Sequence, residues 1–310
     1  MTATLLAGLV ALGFALVIQA AHAGAGAVFW IGLLLLLPLS AWMVGRLARL
    51  GGGRSWRGRA LALLAPLAFG AVTLALWEAL VVGFAVPMVL LPAPSAIAAR
   101  MAASAGLLAT DFVQTFVKAV LAGYALGGLL GFGTALLVDR VPFLRRGLLP
   151  VANLVSALPV IGIAPIMVMW FGFDWQSKAA VVVIMTFFPM LVNTLAGLAA
   201  AGALERDLMR SYAASHAQSL WLLRLPAALP FIFTALKVNA PLALIGAIVA
   251  EFFGSPTQGM GFRITTEAAK LALDLVWAEI VVAAVAGTAF YGLIALAERA
   301  ATFWHPSIRA

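Results

Sequence analysis

AAVVVIMTFFPMLVNTLAGLAAA, residues 179–201, contains no ionisable side chain. As a helix rising about 1.5 Å per residue it would extend about 34 Å, enough to cross the ~30 Å hydrocarbon core of a bilayer. Comparable runs recur along the chain. It has 310 residues, of which 65% are hydrophobic and 10% charged, with a mean hydropathy of +1.11. A soluble domain of this length would be about a quarter charged. Apolar stretches at about 3–21, 27–45, 60–83, 113–137, 147–172, 179–201, 230–250 and 275–297 predict eight spans. No period-two alternation suggests a membrane barrel. The expected fold is an all-α, polytopic transmembrane bundle.

Cysteine is absent, which excludes disulfides, thiolate metal sites and cysteine nucleophiles. The net charge of +8 does not predict a nucleic-acid partner, because the arginines cluster between spans, where they orient helices. Arg46, Arg49, Arg54, Arg57, Arg59, Arg140, Arg145, Arg146, Arg206, Arg210, Arg224, Arg299 and Arg309 fall on one side. Arg100, Lys178, Arg263 and Lys270 fall on the other. Thirteen against four predicts cytoplasmic termini. Ala21-His22-Ala23 resembles a signal-peptidase site, but no Lys or Arg precedes the apolar stretch, so residues 1–23 read as an uncleaved span. The arginine-rich segment with Gly51-Gly52-Gly53 predicts a boundary, giving an N-terminal helix pair and linker at 1–58 and a six-span body at 59–310.

Span five holds Pro150, Pro159 and Pro165 with Asn153 and Ser156. Each interior proline frees a backbone carbonyl, which lipid cannot satisfy. This span is therefore expected inside the bundle, as a kinked packing helix or beside a path. Candidate path residues are Asn153, Ser156, Pro159, Asn193, Asn239 and Glu251. Gly123, Gly127 and Gly131 form a smooth ridge in span four, for packing within the chain or at a dimer seam.

Between spans six and seven lies GALERDLMRSYAASHAQSL, residues 202–220, too polar to cross lipid. Leu204, Leu208, Tyr212 and Ser215 share one helical face, with Glu205, Arg206, Asp207 and Arg210 elsewhere. The expectation is a short amphipathic helix followed by an elbow at Leu225-Pro226, because a residue before proline favours extended backbone. Such a helix could lie on lipid or dock a soluble partner. Its small apolar face favours docking.

This segment resembles the coupling loop of type I ABC importer permeases, with the pattern E-A-A, three residues, G, nine residues, I-x-L-P. Asp207 takes the acidic position, Leu208-Met209 replace the alanines, Ala213 stands at the glycine, Leu223 at the isoleucine, and Leu225-Pro226 close it. Residues 76–97, 156–197 and 225–252 resemble nitrate/sulfonate/taurine-type permeases, and the likeness covers about 60–305, with a core at about 110–300. The N-terminal pair departs from that six-span plan.

The resemblance implies a coupling loop at 202–226, involving Glu205, Asp207, Arg210, Tyr212, Ala213, Ala214, Ser215, His216, Leu225 and Pro226. Alanine disfavours positive φ, so the helix is expected to continue through 213. The resemblance further implies separate cytoplasmic ATPase subunits that hold ATP, a periplasmic or lipid-anchored binding protein, a permease homodimer, and a multi-pass location in a bacterial inner membrane. Small anions such as nitrate, sulfonates or taurine are the implied substrates, together with related small organic compounds. No G-x-x-x-x-G-K-[ST] phosphate loop is present, so no cofactor or catalytic residue is expected on this chain. His22, His216 and His305 are scattered and suggest no metal site. The competing reading is an ion-coupled secondary transporter, which calls for midplane ionisable residues.

Overall fold

The computed structural model describes residues 3–24, 26–50, 56–141, 143, 144, 146, 147, 150 and 159–304. All regular structure among them is helical: α1 (Ala3–His22), α2 (Ala27–Leu50), α3 (Trp56–Gly83), α4 (Pro94–Ala103), α5 (Ala105–Phe112), α6 (Leu121–Arg140), α7 (Val160–Phe171), α8 (Trp175–Ala199), α9 (Ala203–Ser211), α10 (His216–Ser219), α11 (Leu225–Glu251), α12 (Met260–Ala269) and α13 (Leu273–Ala301). Two π-helical segments, Val113–Val120 and Leu220–Arg224, join α5 to α6 and α10 to α11.

Among the described residues six stretches are long and apolar enough to cross a membrane: Ala27–Arg49, Ala62–Gly83, Ala105–Arg140, Trp175–Ala199, His216–Glu251 and Leu273–Ala301. They coincide with six of the eight expected spans. The other two correspond to shorter apolar helices among the described residues, Ala7–His22 and Val160–Phe171. Helix α7 starts only after Pro159, and its 12 residues rise about 18 Å, short of a bilayer core. Asn153 and Ser156 lie outside the described residues.

The chain divides into two compact units. One comprises Met1–Ala103 with Leu271–Ala278. Here α1, α2 and α3 pack together around Val10, Phe14, Leu33, Leu36 and Met43. Helix α3 thus packs with the N-terminal pair in this unit. Gly83 leaves room for the Phe29 ring, which a Cβ there would strike. Glu78, near the C-terminal end of α3, has a partner. It accepts from the Ser95 amide (2.9 Å) and hydroxyl (2.6 Å), satisfying a donor in the first turn of α4.

The other unit comprises Ser104–Lys270 and Glu279–Ala310. Helix α8 is its centre, packed against α6 on one side and α11 on another. The glycine ridge explains the first contact. A Cβ on Gly123 would lie 2.6 Å from the Ala179 carbonyl oxygen, and one on Gly127 would lie 2.8 Å from that of Val183. The ridge therefore packs inside the chain, where small residues let backbones approach and dispersion replaces the missing hydrophobic drive. On α11, buried Ala228, Ala235, Ala243, Ala247 and Ala250 serve the same end.

Candidate functional site: the polar loop and its anchors

Helix α9 ends at Ser211, not beyond 213. Ala213 has φ +51°; its amide donates to the Arg210 carbonyl (2.9 Å), and the Ala214 amide to that of Met209 (3.0 Å). These two bonds form a Schellman C-cap with Ala213 at the left-handed position. The expectation of a continuing helix is corrected here. Capping the orphan carbonyls outweighs the steric objection of one alanine Cβ. The chain then restarts at α10, where Ser215 accepts from the Gln218 amide and the Gln218 side chain bonds back to the Ser215 amide, a capping box.

The elbow also moves. Leu225 has φ −69° and ψ −44°, so the residue before Pro226 is helical, not extended. The π segment explains this. The Leu225 amide bonds to the Leu220 carbonyl, five residues back, and the widened turn accommodates a proline that an α-turn would reject. The chain is helical from His216 to Glu251, and the bend sits at 212–215 instead.

Arg224 anchors this loop. Its guanidinium donates to both Asp139 oxygens (2.7 and 2.6 Å) and to the Leu198 carbonyl (3.1 Å). The two side chains are only 15% and 12% exposed. A bidentate, largely buried pair is strong where the geometry is this complete, and removing one partner costs about 3–5 kcal/mol. The ends of α6 and α8 are thereby fastened to the start of α11. Leu220 and Leu225 pack on the bundle core, while one face of α9 is open. Leu204, Leu208 and Tyr212 are 81%, 56% and 79% exposed, as are Glu205, Ser215 and His216. Asp207 pairs with Arg210 at 3.0 Å on the surface, where such pairs contribute little.

At the far end of α11 a second polar cluster fixes the chain. Glu251, 3% exposed, accepts from the Thr115 hydroxyl (2.8 Å) and the Gly261 amide (2.7 Å). Fully buried Asp111 accepts from the Gly259 amide (2.6 Å) and Arg263 Nε (2.8 Å), and the Met260 amide donates to Thr115 (2.8 Å). These carboxylates satisfy the orphan amides that open α12. The Asp111 hydrogen bond also raises the pKa of Arg263 above its ordinary value. Nearby, Asp174 caps α8, accepting from Gln114 (2.6 Å) and the Trp175 amide (2.7 Å). The Gln114 bond first, then the Trp175 amide, hold its carboxyl below the usual range.

Few path candidates face open space. Glu251 is fully engaged in the clasp around α12. Asn239 is buried and donates to the Thr186 carbonyl of α8 (2.8 Å). Asn193 donates to the Pro189 carbonyl one turn earlier in its own helix (2.8 Å). Pro159 is exposed at the N-cap of α7. Asp139, Asp111 and Thr115 were not among the candidates. Asp111, Gln114, Thr115 and Lys118 stand at i, i+3, i+4 and i+7, a polar stripe legible in the sequence. Among the described residues no group of three or more His, Cys, Asp or Glu could hold a metal.

Residues 123–303 match the family described as binding-protein-dependent transport system inner membrane component. The chain is 31% identical to a probable ABC transporter permease protein of Haemophilus influenzae, over 71% of this chain and 89% of the relative. It is 33% identical to the formylaminopyrimidine transport permease protein ThiX of Halalkalibacterium halodurans, over 66% and 81%. It is 32% identical to the taurine transport system permease protein TauC of Escherichia coli, over 58% and 66%. These similarities favour the ATP-driven importer over an ion-coupled transporter. With a polytopic bundle and an anchored polar loop between spans, the chain belongs to the binding-protein-dependent ABC importer permeases, as a membrane-spanning subunit.

Proposed function

We propose that α9 and α10 form the helix pair through which a separate ATPase drives this permease, with the loop and both termini in the cytoplasm. The observation that carries this is the exposed stripe of Leu204, Leu208 and Tyr212 on a loop clamped by Arg224 and Asp139. Apolar side chains held out on a stiff, anchored loop suit a groove on a protein partner. The loop does not itself bind ATP. Two copies of the chain enclose the path, and a binding protein delivers the solute from the opposite side, where the Asp111–Glu251 cluster fixes the chain. The solute is a small polar compound of the range that the relatives' names span, from taurine to formylaminopyrimidine, and the binding protein selects it.

A cysteine at Leu208, in a chain co-expressed with its ATPase, tests the reading. It should cross-link to the ATPase in membranes, and Leu208→Glu should abolish co-purification and uptake while the protein still inserts. Normal uptake by Leu208→Glu would overturn it.

A further inference from the structure

Behind α9 lies a polar cavity of about 360 Å³ whose lining includes Asp139, Arg206, Arg210, His216, Ser219 and Arg224. Arg206 and Arg210 are one turn apart and lie across the helix from Leu204 and Leu208. The cavity therefore opens on the body side of the loop, away from the stripe a soluble partner would meet.

Its charge is unbalanced. Arg224 is neutralised by Asp139, and Arg210 pairs with Asp207. Arg206 has no ion pair among the described residues. One positive charge is left over, with serine and histidine side chains beside it to hydrogen-bond an anion.

Its depth identifies the ligand. Asp139 and Arg224 stand where α6 ends and α11 begins. Trp221, 64% exposed, lies one turn before α11, and indoles favour the headgroup level of a bilayer. Guanidinium groups at that level match phosphate oxygens in charge and geometry. We propose that this cavity binds the phosphate of an anionic phospholipid headgroup, wedging lipid between the loop and the bundle. The proposal rests on the docking reading only in assigning the cytoplasmic leaflet. Inorganic phosphate offers the same chemistry from solution.

The test compares unfolding temperatures of the purified chain in nanodiscs of phosphatidylcholine alone and with phosphatidylglycerol. Phosphatidylglycerol should raise the wild-type value. The double variant Arg206→Gln/Arg210→Gln should lose most of that rise while matching wild type in phosphatidylcholine. Arg140→Gln/Arg299→Gln, which removes the same charge outside the cavity, should keep it. In a parallel arm, inorganic phosphate is added to the phosphatidylcholine discs. Protection there, absent from the Arg206/Arg210 variant, would support the phosphate site with a soluble source. An undiminished lipid effect in that variant would overturn the proposal. So would an effect of the two arginines seen only with the ATPase bound, which would assign the cavity to a partner carboxylate. Because no ATPase is present in the main measurement, its outcome is separable from that of the docking reading.

Discussion

Replacing Ala213 with glycine separates two descriptions of the loop by sign. At φ +51° an L-residue carries a steric cost of about 1–2 kcal/mol, and the greater freedom of unfolded glycine takes back about 0.4–1. The net gain is about 0.5–1 kcal/mol, a two- to five-fold slowing of local opening. Had the helix continued through this position, the same substitution would cost about 0.5–1 kcal/mol and speed opening. Native-state hydrogen exchange in nanodiscs is the assay. The Ala214 amide, bonded to the Met209 carbonyl, reports the cap directly, and the melting temperature of the whole bundle would be too blunt. Slower exchange at Ala214 with uptake retained is expected. Unchanged or faster exchange would refute the cap argument. Ala213→Val should move the other way, since a β-branched residue is a harsher outlier in this region.

Arg224→Met leaves Asp139 buried without its partner and should destabilise the chain by about 3–5 kcal/mol, while a double variant with Asp139→Leu should recover part of that in denaturant unfolding. Glu251→Ala should expose the Gly254–Gly259 turn to limited proteolysis, because the Gly261 amide and Thr115 hydroxyl lose their acceptor; an unchanged digestion pattern would count against the clasp. Asp174 has a depressed folded pKa, so its contribution is present above the unfolded value of about 3.9 and is lost as pH falls through the folded one. Asp174→Asn should therefore flatten the acid limb of the stability profile. Deleting residues 2–45 should leave the second unit, which has its own core, able to insert and to co-purify with the ATPase.

The spans were legible because one physical demand, backbone satisfaction in lipid, writes itself as uninterrupted apolar runs. The polar loop between spans was legible as an interruption of the apolar pattern. Its internal geometry was not. Ala213 was expected to be helical by an intrinsic preference that the C-cap bonds overrule. Leu225 was expected to be extended by a preference that the π segment removes. The anchors were hidden for a different reason. Asp139 and Arg224 are 85 residues apart, and nothing local to either announces the other. The Asp111–Thr115 stripe was in view, but its partners on α12 come together only through the fold. Glu251 shows the converse error, since an intramembrane carboxylate suggested a solute path and serves to hold backbone.

The helix from His216 to Glu251 has 36 residues, and an unbroken rod of that length extends about 54 Å. Its near end carries the loop and the Arg224–Asp139 clamp; its far end carries the Glu251 clasp. If the proposed ATPase pushes on the loop, that push would reach the far tip as leverage, with no relay of side chains needed between them. Pro230 and Pro241, each lacking an amide, are where such a rod flexes most easily. They would set how such a push is divided between tilting the whole beam and bending it.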